Sequence, residues 1–130
     1  MDIVVDTSAL LAVIVGEPER ARILKLTSGH TVIGPESIPW EIGNAFTAML
    51  KQRRLTLGEA QEGYRRFQMI PLRYVKVDMV RALALADQAG IYAYDAYFLE
   101  CAARHTAPLL TLDVGLKRSA LSMGVKLLEV

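Results

Sequence analysis

Short runs of apolar, largely branched residues recur along the chain, and each is followed by a longer stretch with helical periodicity. Ile3-Val4-Val5, Thr31-Val32-Ile33, Leu72–Val77 and Pro108–Leu112 have this character, and Val125–Leu128 closes the series. The first reads as a strand buried on both faces. Between the runs lie seven helical patterns: Ala9–Val15, Pro18 to about Thr27, about Ile38 to Arg54, Thr56 to about Met69, Met79–Ala89, Tyr94–His105 and Val114–Met123. Thr7 or Ser8 is the expected cap of the first, and Thr56-x-x-Glu59 has the capping-box spacing. Gly16 and Gly90 stand where helices should stop. Strands that alternate with helices from end to end imply parallel pairing, with helices on both faces of the sheet. The expected fold class is therefore α/β: a three-layer α/β/α sandwich with a mostly parallel central sheet of about five strands.

Length and composition support one domain spanning residues 1–130. An apolar fraction of 52% fills a real core and excludes disorder. A net charge of +1 neither announces nor forbids a nucleic-acid partner, because local charge matters more than the sum. Cys101 is the only cysteine, so no internal disulfide forms, and a reducing, cytoplasmic setting is expected. No basic leader precedes Ile3, and the longest apolar run, Ala9–Val15, is far short of the ~20 residues a membrane helix needs. No membrane association is expected.

Acidic residues stand in unusual places on this framework. Asp6 follows the first strand directly, and Asp113 follows Pro108–Leu112 in the same way. In parallel sheets, ligands bind at the carboxyl ends of the strands. Each residue could equally serve only as a helix cap. Glu41 shares a helical face with Ile38, Ala45 and Ala48, and Asp95 shares one with Phe98, Leu99 and Ala102. An acid beside such a stripe costs free energy unless it is paired or reaches water. A helix-start acid is the plainer account of Asp95.

Four like charges on one edge raise one another's pKa values, and a hard divalent cation is the common relief. Oxygen ligands suit Mg2+ or Mn2+ rather than zinc. His30, His105 and Cys101 have no metal-ligand spacing, and neither a Walker A motif nor G-x-G-x-x-G is present. Carboxylate-bound metal ions are the usual apparatus for attack of water on a phosphodiester. A receiver-type phosphoacceptor would need a second acid beside Asp6, where Thr7 and Ser8 stand instead.

At these residues the chain resembles the PIN-domain ribonucleases, and within them the VapC-type toxins of prokaryotic toxin–antitoxin pairs. Ile3-Val4-Val5-Asp6-Thr7-Ser8 resembles the family's first motif, and Glu41-Ile42-Gly43-Asn44-Ala45 its second. Tyr94-Asp95-Ala96-Tyr97-Phe98-Leu99 resembles the third, and Leu110-Thr111-Leu112-Asp113 the fourth. The resemblance implies a Mg2+- or Mn2+-dependent endoribonuclease whose catalytic and metal-binding residues are Asp6, Glu41, Asp95 and Asp113. Thr7, Ser8, Asn44 and Thr111 would position carboxylates or water. It also implies an RNA substrate, a cognate antitoxin protein and a homodimer. The alternatives are an RNA-processing PIN-like nuclease without an antitoxin and an inactive PIN-like binding module. Lys117 and Arg118, close to Asp113, are the first candidates for phosphate contact, and Tyr92 is the aromatic candidate for stacking on RNA.

Overall fold

The computed structural model describes residues 1–130. Four strands, β1 (Asp2–Val5), β2 (Thr31–Pro35), β3 (Leu72–Val75) and β4 (Leu109–Leu110), form one sheet in the order β3-β2-β1-β4. Every pairing is parallel, with Val4 opposite Ile33 on one side and Leu109 on the other. The expected fifth strand, Val125–Leu128, is reduced to a single parallel bridge between Leu127 and Leu109. It lies beyond the two-residue β4, which is too short to template a longer partner.

Helices fill the intervals: α1 (Thr7–Val15), α2 (Arg20–Thr27), α3 (Ile38–Lys51), α4 (Leu57–Gln68), α5 (Met79–Ala89), α6 (Ala93–His105) and α7 (Val114–Ser122). Six of them divide into two groups. Helix α6 lies against β1, β2 and β4 and carries α5, whereas α1, α2, α3 and α4 pack on one another. The α/β sandwich with a parallel sheet is thus the fold the alternating pattern implied. No helix is long and apolar enough to cross a membrane.

Local chemistry accounts for most helix ends. Gly16 and Gly90 end α1 and α5 in the left-handed conformation, as a residue without a Cβ does readily. Thr56 and Glu59 complete both halves of the capping box on α4. The long helix stops at Lys51 rather than running to Arg54, because Arg53 turns to a left-handed φ of 58°. The cap of α1 is neither Thr7 nor Ser8. It is Asp6, whose carboxylate accepts the Ala9 N–H at 3.0 Å.

The core is one continuous cluster centred on β1, β2, β4, α3 and α6, including Ile3, Ile33, Ile42, Leu99 and Leu110, with further members from the other helices. The sheet order positions the site. From β1 the chain moves outward through β2 to β3, then returns to the other side of β1 for β4. The carboxyl ends of β1 and β4 therefore flank a topological switch point, where adjacent connections leave in opposite directions and a crevice opens.

Candidate active site

Asp6 and Thr111 occupy that switch point. Asp6 continues β1, and its N–H donates to Leu110 O at 3.1 Å, so its backbone is held in the ladder. Its side chain is 5% exposed. One carboxylate oxygen accepts Ser8 Oγ at 2.7 Å and the Ala9 N–H; the other accepts Thr111 Oγ1 at 2.6 Å. Thr111 in turn accepts the Asp113 N–H at 3.0 Å, and Ser8 Oγ accepts the Leu112 N–H at 3.0 Å. These bonds lace the end of β1 to the end of β4.

Burial pushes Asp6 up from 3.8 to about 6, and the negative charge of Asp113 adds to the rise. The bonds from Thr111, Ser8 and Ala9 pull the other way without restoring the ordinary value.

Glu41 lies in the first turn of α3, at the edge of a buried stripe formed by Ile38, Ile42 and Phe46. Ala45 is half-buried, but Ala48, expected on the same inward face, is exposed. The apolar stripe is thus narrower than the spacing suggested, and Glu41 sits beside it. Thr7 Oγ1 donates to one oxygen of Glu41 at 3.0 Å, and Ser37 Oγ to the other at 2.6 Å. Burial raises Glu41, these two hydroxyls oppose the rise, and the charge of Asp95 contributes to it.

Asp95 is half-buried in the first turn of α6, with Phe98, Leu99 and Ala102 buried on the same face. Burial and then the charge of Asp113 raise its pKa, and no hydrogen bond offsets them. Asp113 is exposed and caps α7, accepting the Leu116 N–H at 2.9 Å. Three of the carboxylates therefore feel another: Glu41 the charge of Asp95, and both Asp95 and Asp6 that of Asp113. The structure brings all four acids to the carboxyl edge of the sheet.

The remaining candidates fall less evenly. Thr7, Ser8 and Thr111 each donate a hydrogen bond to a carboxylate of the cluster. Asn44 is exposed beside Glu41 but gives it no hydrogen bond. Glu41 is oriented by Thr7 and Ser37, one turn on the other side. Lys117 and Arg118 follow Asp113 on α7, and neither is engaged in an ion pair. Tyr92 caps α6 with its backbone alone and is 88% exposed. Cys101 is a buried core residue whose thiol burial pushes up to about 12, so it is inert as a ligand at neutral pH.

A closed cage for a metal is not present: no three His, Cys, Asp or Glu side chains converge on one point as they lie. Magnesium does not require such a cage. It keeps several waters and is held by one or two carboxylates. The coupling of Glu41 to Asp95, and of Asp6 and Asp95 to Asp113, fits a hydrated hard cation held in this way, with Asp95 free of protein donors.

A family model for the PIN domain matches residues 3–121. The chain belongs to the PIN domain family. Comparison with curated proteins gives no significant match. Among solved structures, this PIN domain is similar to PAE2754 from Pyrobaculum aerophilum, with a TM-score of 0.72 at 20% identity over 92% of this chain and 79% of the other. It is similar to VapBC2 from Rickettsia felis, bound to a DNA fragment from its promoter, with a TM-score of 0.68 at 15% identity over 98% of both chains. It is also similar to VapC20 from Mycobacterium tuberculosis, a toxin that cleaves the sarcin–ricin loop, with a TM-score of 0.63 at 16% identity over 90% and 94%. At these identities the likeness is one of fold.

Sequence reasoning passed over Ser37 in this PIN domain. It is 8% exposed, takes the position before α3, and makes no cap bond with its hydroxyl, which turns to Glu41 instead. Its spacing of four residues from Glu41 was the available signal. Glu100 was also passed over. It is 1% exposed, with one oxygen on Arg104 at 2.8 Å and the other without a partner.

Proposed function

We propose that this PIN domain is a Mg2+- or Mn2+-dependent endoribonuclease that hydrolyses RNA phosphodiester bonds, and that it is the toxin of a type II toxin–antitoxin pair. The observation that carries the reading is the placement of the acids where β1 and β4 end: buried Asp6 bonded to Ser8 and Thr111, Asp113 bonded through its N–H to Thr111, and Glu41 bonded to Thr7 beside Asp6. Carboxylates that disfavour one another's charge are a poor arrangement for a bare protein and a good one for binding a divalent cation. Asp6, Glu41, Asp95 and Asp113 would hold the metal, one or two of them directly and the others through its waters, and when bound it acidifies an attacking water and steadies the leaving oxygen.

The chain's own groups set the geometry. Thr111, Ser8 and the Ala9 N–H hold the Asp6 carboxylate at the switch point. Thr7 and Ser37 fix Glu41 from both sides. Asp95, without a protein donor, keeps its oxygens for water or ion. Lys117 and Arg118 supply cations for phosphate one turn into α7, and Tyr92 offers an aromatic face.

The toxin assignment draws support from the folds this one resembles, among them a toxin–antitoxin complex from Klebsiella pneumoniae at a TM-score of 0.58 and 20% identity over 85% of this chain and 86% of the other. It also draws on a groove of about 830 Å3 flanked by α1, α2 and the end of α4, lined by Leu10, Ile14, Ile23, Leu24, Met69 and Ile70. Such a groove suits the apolar face of an antitoxin segment. Exposed Val80 and Leu83 on α5 support a homodimer.

The test is cleavage of single-stranded and structured RNA by the wild type and by Asp6→Asn, in Mg2+, Mn2+ or EDTA. Cleavage by the wild type that needs the metal and is lost in Asp6→Asn is expected. No cleavage in either metal, or equal cleavage by the variant, sinks the mechanism. Growth arrest on expression, relieved by a short neighbouring reading frame, is the expected sign of a toxin; its absence would leave a processing nuclease.

A further inference from the structure

Trp40 is 76% exposed, an unusual position for the largest apolar side chain in the protein. It stands on α3 next to Glu41 and forms the shared wall of two troughs. The first, of about 300 Å3, is also lined by Thr7, Glu41, Asn44 and Tyr94. The second, of about 360 Å3, is also lined by Ser37, Lys76, Met79 and Tyr97. Tyr94 and Tyr97 meet edge to face, with ring centroids 5.7 Å apart and planes at 82°, so each braces the other. The hydrogen bond from Ser37 to Glu41 joins the two troughs beneath Trp40.

The charges differ between the troughs. Glu41 is the only charged residue lining the first, which offers no cationic side chain to a phosphate and suits a neutral planar group. Lys76 brings a cation to the second, beside Glu36. Two aromatic side chains, Trp40 and Tyr94, lining a cation-free trough that shares Thr7 and Glu41 with the carboxylate site, match the chemistry of an unpaired nucleobase, which every base satisfies through its π face. Bases within a duplex are already stacked and do not fit.

We propose that Trp40 and Tyr94 form a stacking slot for one unpaired base beside the scissile phosphodiester, and that Tyr97 and Lys76 receive the adjoining nucleotide. This rests on the ribonuclease reading and narrows its substrate to single strands and loops. Trp40 and Tyr94 bind substrate and take no part in proton transfer.

Trp40 is the only tryptophan, so its emission reports the slot directly. The probe is a fluorescein-labelled 2′-O-methyl hexanucleotide, single-stranded and resistant to cleavage, titrated into the full chain in Mg2+ and followed by anisotropy and by Trp40 emission. Saturation is expected to quench Trp40, and an abasic nucleotide at one position of the six is expected to abolish the quenching. Trp40→Ala is expected to weaken binding by about 5- to 150-fold, the range of one base stacked on an aromatic side chain. The same factor should appear in KM for a cleavable RNA, with kcat little changed, and Trp40→Phe should keep most of the affinity.

Binding by anisotropy with unchanged Trp40 emission, and equal affinity in Trp40→Ala, overturns the slot and leaves the ribonuclease reading standing. No binding of the hexanucleotide together with no cleavage of RNA by the wild type overturns both. Trp40 emission that shifts with protein concentration alone assigns this face to a second copy of the chain, and also overturns the slot.

Discussion

Replacing Asp6 by asparagine should stabilise the metal-free protein while abolishing its activity. The two effects together separate a metal-binding carboxylate from a plain helix cap. One pKa unit corresponds to about 1.4 kcal/mol, so a rise from 3.8 to about 6 sets ~3 kcal/mol against the ionised native state. The opposing gain from a negative charge at a helix N-terminus is smaller, about 0.3–1 kcal/mol. Asparagine retains an oxygen for Ser8 Oγ and the Ala9 N–H, and its amide can donate to Thr111 Oγ1, now acting as acceptor.

The sign follows from proton uptake. Between about pH 4 and 6 the native state binds more protons at Asp6 than the unfolded chain does, so wild-type stability falls as pH rises through that window and then levels. Asparagine does not titrate, so the two proteins should match near pH 3.5, diverge between about pH 4 and 6, and keep a constant gap above that. Thermal denaturation in EDTA at pH 7.5 should place the Tm of Asp6→Asn about 10 °C above wild type. Magnesium at a hundredfold excess over its Kd should add about 2.7 kcal/mol to the wild type and close most of that gap. A Tm for Asp6→Asn equal to or below wild type in EDTA at pH 7.5 would refute the reasoning, since the charge would then be a net gain as a cap.

Ser37→Ala removes a part-buried charge-assisted hydrogen bond at 2.6 Å, should raise Glu41 further, and should lower kcat/KM by about 10- to 100-fold with the acid limb of the pH–rate profile moved upward. Asp113→Asn should keep more activity than Asp95→Asn in the same cleavage assay, because Asp113 is exposed and one of its oxygens is spent on capping α7. Gly63→Ala, nominally a gain in helix propensity, should lower denaturant stability by about 1–3 kcal/mol; its Cβ would lie 2.7 Å from the Phe46 ring and 3.5 Å from Ile14. A double change, Val80→Glu with Leu83→Glu, should leave the thermal midpoint of the monomer unchanged and shift sedimentation from dimer to monomer; a persistent dimer would exclude α5 as the interface.

Much of the fold was legible in the chain because it rests on local regularities. The alternation of short apolar runs with helical periods specified parallel pairing, and glycines and the Thr56–Glu59 box marked helix ends with fair accuracy. Boundaries set by tertiary context were not legible. The helix predicted to reach Arg54 stops at Lys51 on a left-handed Arg53, and the last strand shrinks to one bridge because β4 has only two residues to offer.

The acids divide in the same way. The sequence by itself marked Asp6 and Asp113 as strand-end residues and Glu41 and Asp95 as acids on apolar helix faces, since both properties follow from spacing. Only the tertiary structure decided what holds them. Thr7 reaches Glu41 and Thr111 reaches Asp6, across 34 and 105 residues of chain, because β1, β2 and β4 end on one edge. Burial and mutual repulsion there depend on packing density and on distances between elements, neither of which has a period in the sequence. The same holds for Trp40, whose role as the wall between two troughs emerges only when α3 and α6 come together at that edge.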